Sequence, residues 1–176
     1  AEVYLQLIEE FPDHYLVAKS LLGAGVLLVR NELPLEGERA LRTLVAEYPQ
    51  AVERPQALWE LAWSDYLGEN FERSLSFLDQ LMRAHPTEKA RSGGFWRERA
   101  LYWRARCLAA LGSSTEAKRT YRRVMLGYPL GYYALLSANR LREFGHTEPF
   151  YVRNMKGQEE IPEAHVPKIQ QNKTLD

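Results

Sequence analysis

At 176 residues, with 45% hydrophobic and 26% charged side chains, the chain can build one compact domain or a short repeat array with a real core, which excludes wholesale disorder. Lysine plus arginine equals aspartate plus glutamate at 23 each, so no global charge draws it to nucleic acid or an anionic membrane. A single cysteine, Cys107, rules out an intrachain disulfide and a thiolate zinc cluster, and the nearest approach to a membrane span, Leu16 to Val29, is broken by Lys19, Ser20 and two glycines.

The chain opens on Ala1-Glu2-Val3-Tyr4, already in helical rhythm and without an initiator methionine, which reads as a segment cut from a longer protein. Apolar spacing predicts a first helix over about 2–11. Helix pairs are then expected over 15–30 and 36–48, over 54–67 and 71–84, and over 96–111 and 115–127, with a last helix near 131–143. A proline following an aromatic residue or histidine punctuates this order at Phe11-Pro12, Tyr48-Pro49, His85-Pro86 and Tyr128-Pro129. Successive prolines lie 37, 37 and 43 residues apart. Aligned on them, Gly25, Ala62 and Ala105 fall in register, as do Gly37, Ser74 and Ala117. The apolar stripe Tyr4, Leu41, Leu78 and Tyr121 aligns too, with Leu7, Leu44, Leu81 and Val124 beside it.

Two helices can cross closely where each supplies a small residue, and a proline stops the second helix before the next unit starts. This pattern resembles tetratricopeptide repeats, whose period is about 34 residues. The expected fold is therefore all-α, a right-handed superhelix of helix-turn-helix units (an α-solenoid) over 1–142. Its units are about 1–12 (partial), 15–49, 54–86 and 96–129, followed by the last helix 131–143. The extra residues of the third interval are expected to form a loop over Thr87 to Gly94. In the third unit Gly112 suits a left-handed turn, and Ser113 with Glu116 has capping-box spacing. Residues 144–176, with Pro149, Pro162, Pro167 and a polar end, read as linker or tail.

No nucleophile motif, phosphate-binding glycine loop or metal-spaced histidine pair is present, and His14, His85, His146 and His165 are scattered. Neither a cofactor nor a metal is expected, and catalysis by this chain is not. Stacked helix pairs instead present a concave face made chiefly by their first helices. That face is expected to carry Lys19, Leu22, Val26 and Val29, then Gln56, Trp59, Trp63 and Tyr66, then Arg99, Tyr102 and Arg106. The candidate groove is Trp59, Trp63, Tyr66, Arg99, Tyr102 and Arg106, in which aromatic faces would stack on sugars or apolar groups and guanidiniums would pair with carboxylates. The competing reading is that the aromatics pack between repeats. Charge is also uneven: residues 97–123 hold eight basic and two acidic groups, whereas residues 1–96 hold nine and fifteen. Arg97, Arg99, Lys118, Arg119, Arg122 and Arg123 form this basic run, which reads either as a binding face or as a solvated surface.

From Ala100-Leu101-Tyr102-Trp103-Arg104-Ala105-Arg106 through Gly112, Ala117 and Tyr121 to Tyr132-Tyr133-Ala134-Leu135-Leu136-Ser137-Ala138-Asn139-Arg140-Leu141, the chain resembles the helical-repeat region of soluble lytic transglycosylases. The resemblance is dense over about 96–141 and absent after 142. It implies a bacterial periplasmic protein acting on peptidoglycan, with a lysozyme-like catalytic module downstream and this region as non-catalytic scaffold. The Glu-Ser motif that holds the family's catalytic acid is absent here, so no catalytic residue carries over. A peptide-binding scaffold of a cell-envelope assembly protein is the alternative.

Overall fold

The computed structural model describes residues 2–11, 14–31, 33–84 and 93–145. Among them run eight helices and no strand: α1 (Glu2–Glu10), α2 (Val17–Arg30), α3 (Pro34–Glu47), α4 (Arg54–Leu67), α5 (Phe71–Ala84), α6 (Gly93–Ala110), α7 (Ser114–Gly127) and α8 (Tyr132–Glu143). Proline opens α3 and α4, where its missing N–H costs no hydrogen bond and its fixed φ suits the first turn.

Consecutive helices pack as pairs, and the pairs stack. The first helices of neighbouring units touch, α2 with α4, α4 with α6 and α6 with α8. No contact joins the second helices α3 and α5, or α5 and α7, among the described residues. The stack therefore curves with α2, α4, α6 and α8 on its inside, as in a helical-repeat solenoid.

The small residues aligned by the repeat lie where each pair crosses. A Cβ on Gly37 would sit 2.6 Å from the Gly25 carbonyl oxygen and 2.8 Å from the Val29 nitrogen, both backbone atoms. One unit on, the Ser74 hydroxyl donates to the Ala62 carbonyl at 2.8 Å, so a polar side chain crosses there without an unmet donor. In the third unit Ala105 and Ala117 are both fully buried. The stripe beside the crossings supplies the core, with Leu41, Leu44, Leu78, Leu81, Tyr121 and Val124 at or near zero exposure.

The aromatic-proline signature marks a turn of constant form. The carbonyls of Phe11, Tyr48 and Tyr128 accept the N–H groups of His14, Ala51 and Gly131, and those three residues in turn accept from Val17, Arg54 and Ala134. Fourteen residues after Phe11 and Tyr48 lie the crossing residues Gly25 and Ala62. The same step from Tyr128 reaches Arg142, exposed and charged. Thus α8 lacks the small residue at which a second helix crosses the earlier units.

Two local expectations are corrected. Gly93 and Gly94 belong to the first turn of α6 rather than to the loop, while Thr87 to Ser92 lie outside the described residues. Gly112 does take a positive φ of 77°, and the Ser113 N–H closes the end of α6 on the Leu108 carbonyl at 2.9 Å. The capping box does not form: Ser113 has ψ 55° and makes no side-chain cap bond. That backbone departs from the extended conformation that aims an N-cap hydroxyl at the helix. The tail beyond Gly145 lies outside the described residues.

The start of α8 is capped from another unit. Its N-cap residue, Gly131, has no side chain, and Glu98 of α6 reaches across to accept the Tyr133 N–H at 3.0 Å and that of Ala134. A Cβ on Gly131 would overlap that carboxylate. Glu98→Ala should cost about 1 kcal/mol of stability by removing the cap. Burial raises the Glu98 carboxyl above the ordinary glutamate value of 4.5, against the pull of the two N–H groups. The folded state therefore holds this proton more tightly than the unfolded chain. Its contribution to stability is full below pH 4.5 and is lost as pH rises through the folded value. Glu38 has the opposite sign: burial would raise it, but Arg42 and Arg73 hold it below 4.5, so its contribution fades as pH falls. Thermal melts of the parent and Glu98→Gln from neutral to about pH 4 should show the parent gaining relative to the variant. A gain in the other direction would mean that the N–H bonds outweigh burial.

Candidate functional site

Helix α4 presents Trp59, Trp63 and Tyr66 at four- and three-residue steps, which puts them on one stripe. Trp59 and Trp63 stack at 5.8 Å between centroids with planes 16° apart, and Trp63 and Tyr66 at 5.7 Å and 8°. Trp103 of α6 meets this stack edge-on, 4.7 Å from Trp63 and 4.8 Å from Tyr66, both at 75°. Edge-to-face and offset geometries are those that the ring quadrupoles favour.

Cations flank the stack at both ends. The Arg99 guanidinium lies 3.4 Å over the Trp59 ring. The Arg106 guanidinium stands 5.7 Å from Tyr66 and 5.6 Å from Trp103. Burial lowers Arg99 below the ordinary guanidinium value, opposed by Tyr133 and Glu60. Tyr66 is raised, again chiefly by burial, with Arg106 opposing.

These placements divide the six candidates. Trp59 is 5% exposed and Tyr102 2%, so neither offers a free ring face. Tyr102 packs against Trp103, Tyr121 and Tyr133, and Arg140 hydrogen-bonds to it. The expectation that Tyr102 stacks on a ligand is corrected accordingly: its faces are occupied by α7 and α8. Trp63, Tyr66, Arg99 and Arg106 are half-buried, and of these Trp63 and Arg99 border the open space between α2, α4 and α6. Of the outlying positions, Lys19 and Gln56 are exposed, whereas Leu22 packs against the core.

Beside the stack a furrow of about 420 Å³ opens between α2, α4 and α6. Val26, Val29, Trp59 and Trp63 form its apolar walls, with Arg30, Glu60 and Arg99 around them. Trp103, Arg30 and Glu60 were not among the sequence candidates. Helical spacing could have found Trp103, which lies four residues after Arg99 and three before Arg106 on the same helix. The furrow can hold an apolar group against Val26, Val29 and the Trp63 indole while presenting charge of both signs. Among the described residues no group of three or more His, Cys, Asp or Glu side chains could hold a metal ion. No helix there is long and apolar enough to cross a membrane.

A family model for a tetratricopeptide repeat matches residues 99–130. The match begins on α6 and runs through α7 into the Tyr128 turn, which is one helix pair. No curated protein matches the chain. Repeat match and helix packing together describe a tetratricopeptide-like helical domain, a type that suggests a protein-interaction scaffold.

Proposed function

We propose that the domain is a non-catalytic scaffold whose concave furrow holds an extended peptide-bearing ligand, and that it serves beside the catalytic module of a peptidoglycan lytic transglycosylase in the bacterial periplasm. The observation that carries the binding role is the partly exposed edge of the Trp63–Tyr66–Trp103 stack on the inner helices α4 and α6, bordered by Arg106, with Trp63 also lining the furrow. Such an edge contacts apolar groups, while the guanidinium pairs with a carboxylate of the same ligand. The transglycosylase context rests on the ordered motifs of residues 96–141, and with it go the periplasmic location and the downstream lysozyme-like module. In this reading the chain positions its ligand and performs no glycan cleavage itself.

The tetratricopeptide match supports a protein-interaction scaffold, and the second reading takes the chain as the peptide-binding scaffold of a cell-envelope assembly protein. Isolated peptidoglycan sacculi separate the two. The purified domain should be retained on sacculi without releasing soluble fragments, and Arg106→Ala should weaken retention by about 1–2 kcal/mol while leaving the melting temperature nearly unchanged. Absence of retention by the parent would end the peptidoglycan reading. Fragment release would overturn the non-catalytic assignment.

A further inference from the structure

On the opposite side of the array, α5 and α7 each pack on α6 but not on one another, which leaves a second furrow floored by α6. It encloses about 390 Å³ and is lined by Asp79, Met82 and Arg83 of α5, Arg97 of α6 and Arg123 of α7. Three guanidiniums from three helices thus border one cavity. Among the described residues that line it the one carboxylate is engaged, since Asp79 pairs with Arg104 at 3.0 Å.

The preceding unit shows how much of this charge the fold requires. Arg97 donates to the Met82 carbonyl at 3.2 Å, and one unit earlier Arg54 donates to the equivalent Val45 carbonyl at 3.2 Å. One arginine per furrow is therefore a recurring tie between units. The other two are not: the positions of Arg83 and Arg123 are held by Ala46 and Gln80 in the furrow between α3 and α5. Arg83 and Arg123 are exposed, so they add mutual repulsion around the cavity without adding to the core.

We propose that the α5–α6–α7 furrow is a binding site for a phosphate group. A carboxylate is planar and is satisfied by one guanidinium fork. A tetrahedral phosphate has several terminal oxygens and a charge near −2, and it can take charge-assisted hydrogen bonds from three directions at once. The site faces away from the concave furrow and does not depend on what that furrow holds.

The test titrates the protein with inorganic phosphate at constant ionic strength, chloride making up the balance, and follows backbone amide resonances of α5 and α7. Saturable shifts are expected, with acetate much weaker. Arg83→Ala/Arg123→Ala changes two exposed side chains, leaves the Arg97 tie in place and should weaken phosphate binding by at least about tenfold. The matching double lysine variant keeps the charge but loses the forks and should fall short of the parent. Shifts that chloride reproduces, equal affinity in the alanine variant, or full recovery with lysine would each overturn the site, the last by showing a diffuse positive field. The source of the group is read in parallel. Retention on phosphatidylcholine vesicles only when they contain phosphatidic acid, competed by phosphate, assigns it to a lipid headgroup. Binding of phenyl phosphate without vesicle retention assigns it to a soluble ester.

Discussion

Replacing Trp59 by alanine is expected to lower the free energy of unfolding by about 3–5 kcal/mol. Trp59 is almost fully buried, stacked on Trp63 and tilted against Trp103, with the Arg99 guanidinium over its face. Truncation removes a large apolar surface and leaves a void between α4 and α6. It also strips a half-buried cation of its nearest aromatic partner, whose attraction grows as water is excluded. Urea unfolding with the slope held common to parent and variant measures the loss. A variant within about 0.5 kcal/mol of the parent would mean that the indole packs on the surface, and would return Trp59 to the ligand-binding face.

The second large effect is expected at the first crossing. Gly37→Leu should cost about 3 kcal/mol, because even the first added carbon meets backbone atoms of Gly25 and Val29 rather than a side chain that could turn aside. Helices α2 and α3 would have to separate, and the loss would reach Leu41 and Leu44 beside the crossing. Ala46→Leu, on the exposed side of α3, is the matched control and should stay within about 0.5 kcal/mol. Thermal or chemical denaturation of the two variants tests the crossing directly. Equal stabilities would show that the pair does not meet at Gly37.

The repeat was legible in the sequence because its geometry constrains residue size at fixed intervals. A crossing tolerates Gly25 with Gly37 or Ala62 with Ser74 and little else, and a proline after Tyr48 or Tyr128 recurs wherever the chain turns back. Helix starts were less legible. Gly93-Gly94 has the composition of a loop yet lies in the first turn of α6, and Ser113 has the spacing of a capping box but not the backbone angle. The candidate face was legible as a stripe, since Trp59, Trp63 and Tyr66 must share a side of any helix. Which of them stay accessible was not, because that depends on neighbours far along the chain. Tyr102 is covered partly by Tyr133, and Trp63 is met by Trp103 forty residues later. Glu98 capping α8 is likewise a contact that no local spacing announces.

The contact pattern also governs how the chain can acquire its structure. Each helix packs on the helix just before or after it, and the first helices also touch their next-but-one neighbours. No pairing waits for a distant part of the sequence, so the entropy of closing long loops is never a barrier. A ribosome delivering the chain from its N-terminus supplies the partners in the order in which they dock: α2 onto α1, α3 onto α2, then α4 onto the face that α2 and α3 have completed. The array can grow by accretion at its emerging end, one layer at a time, while the next layer is still being synthesised.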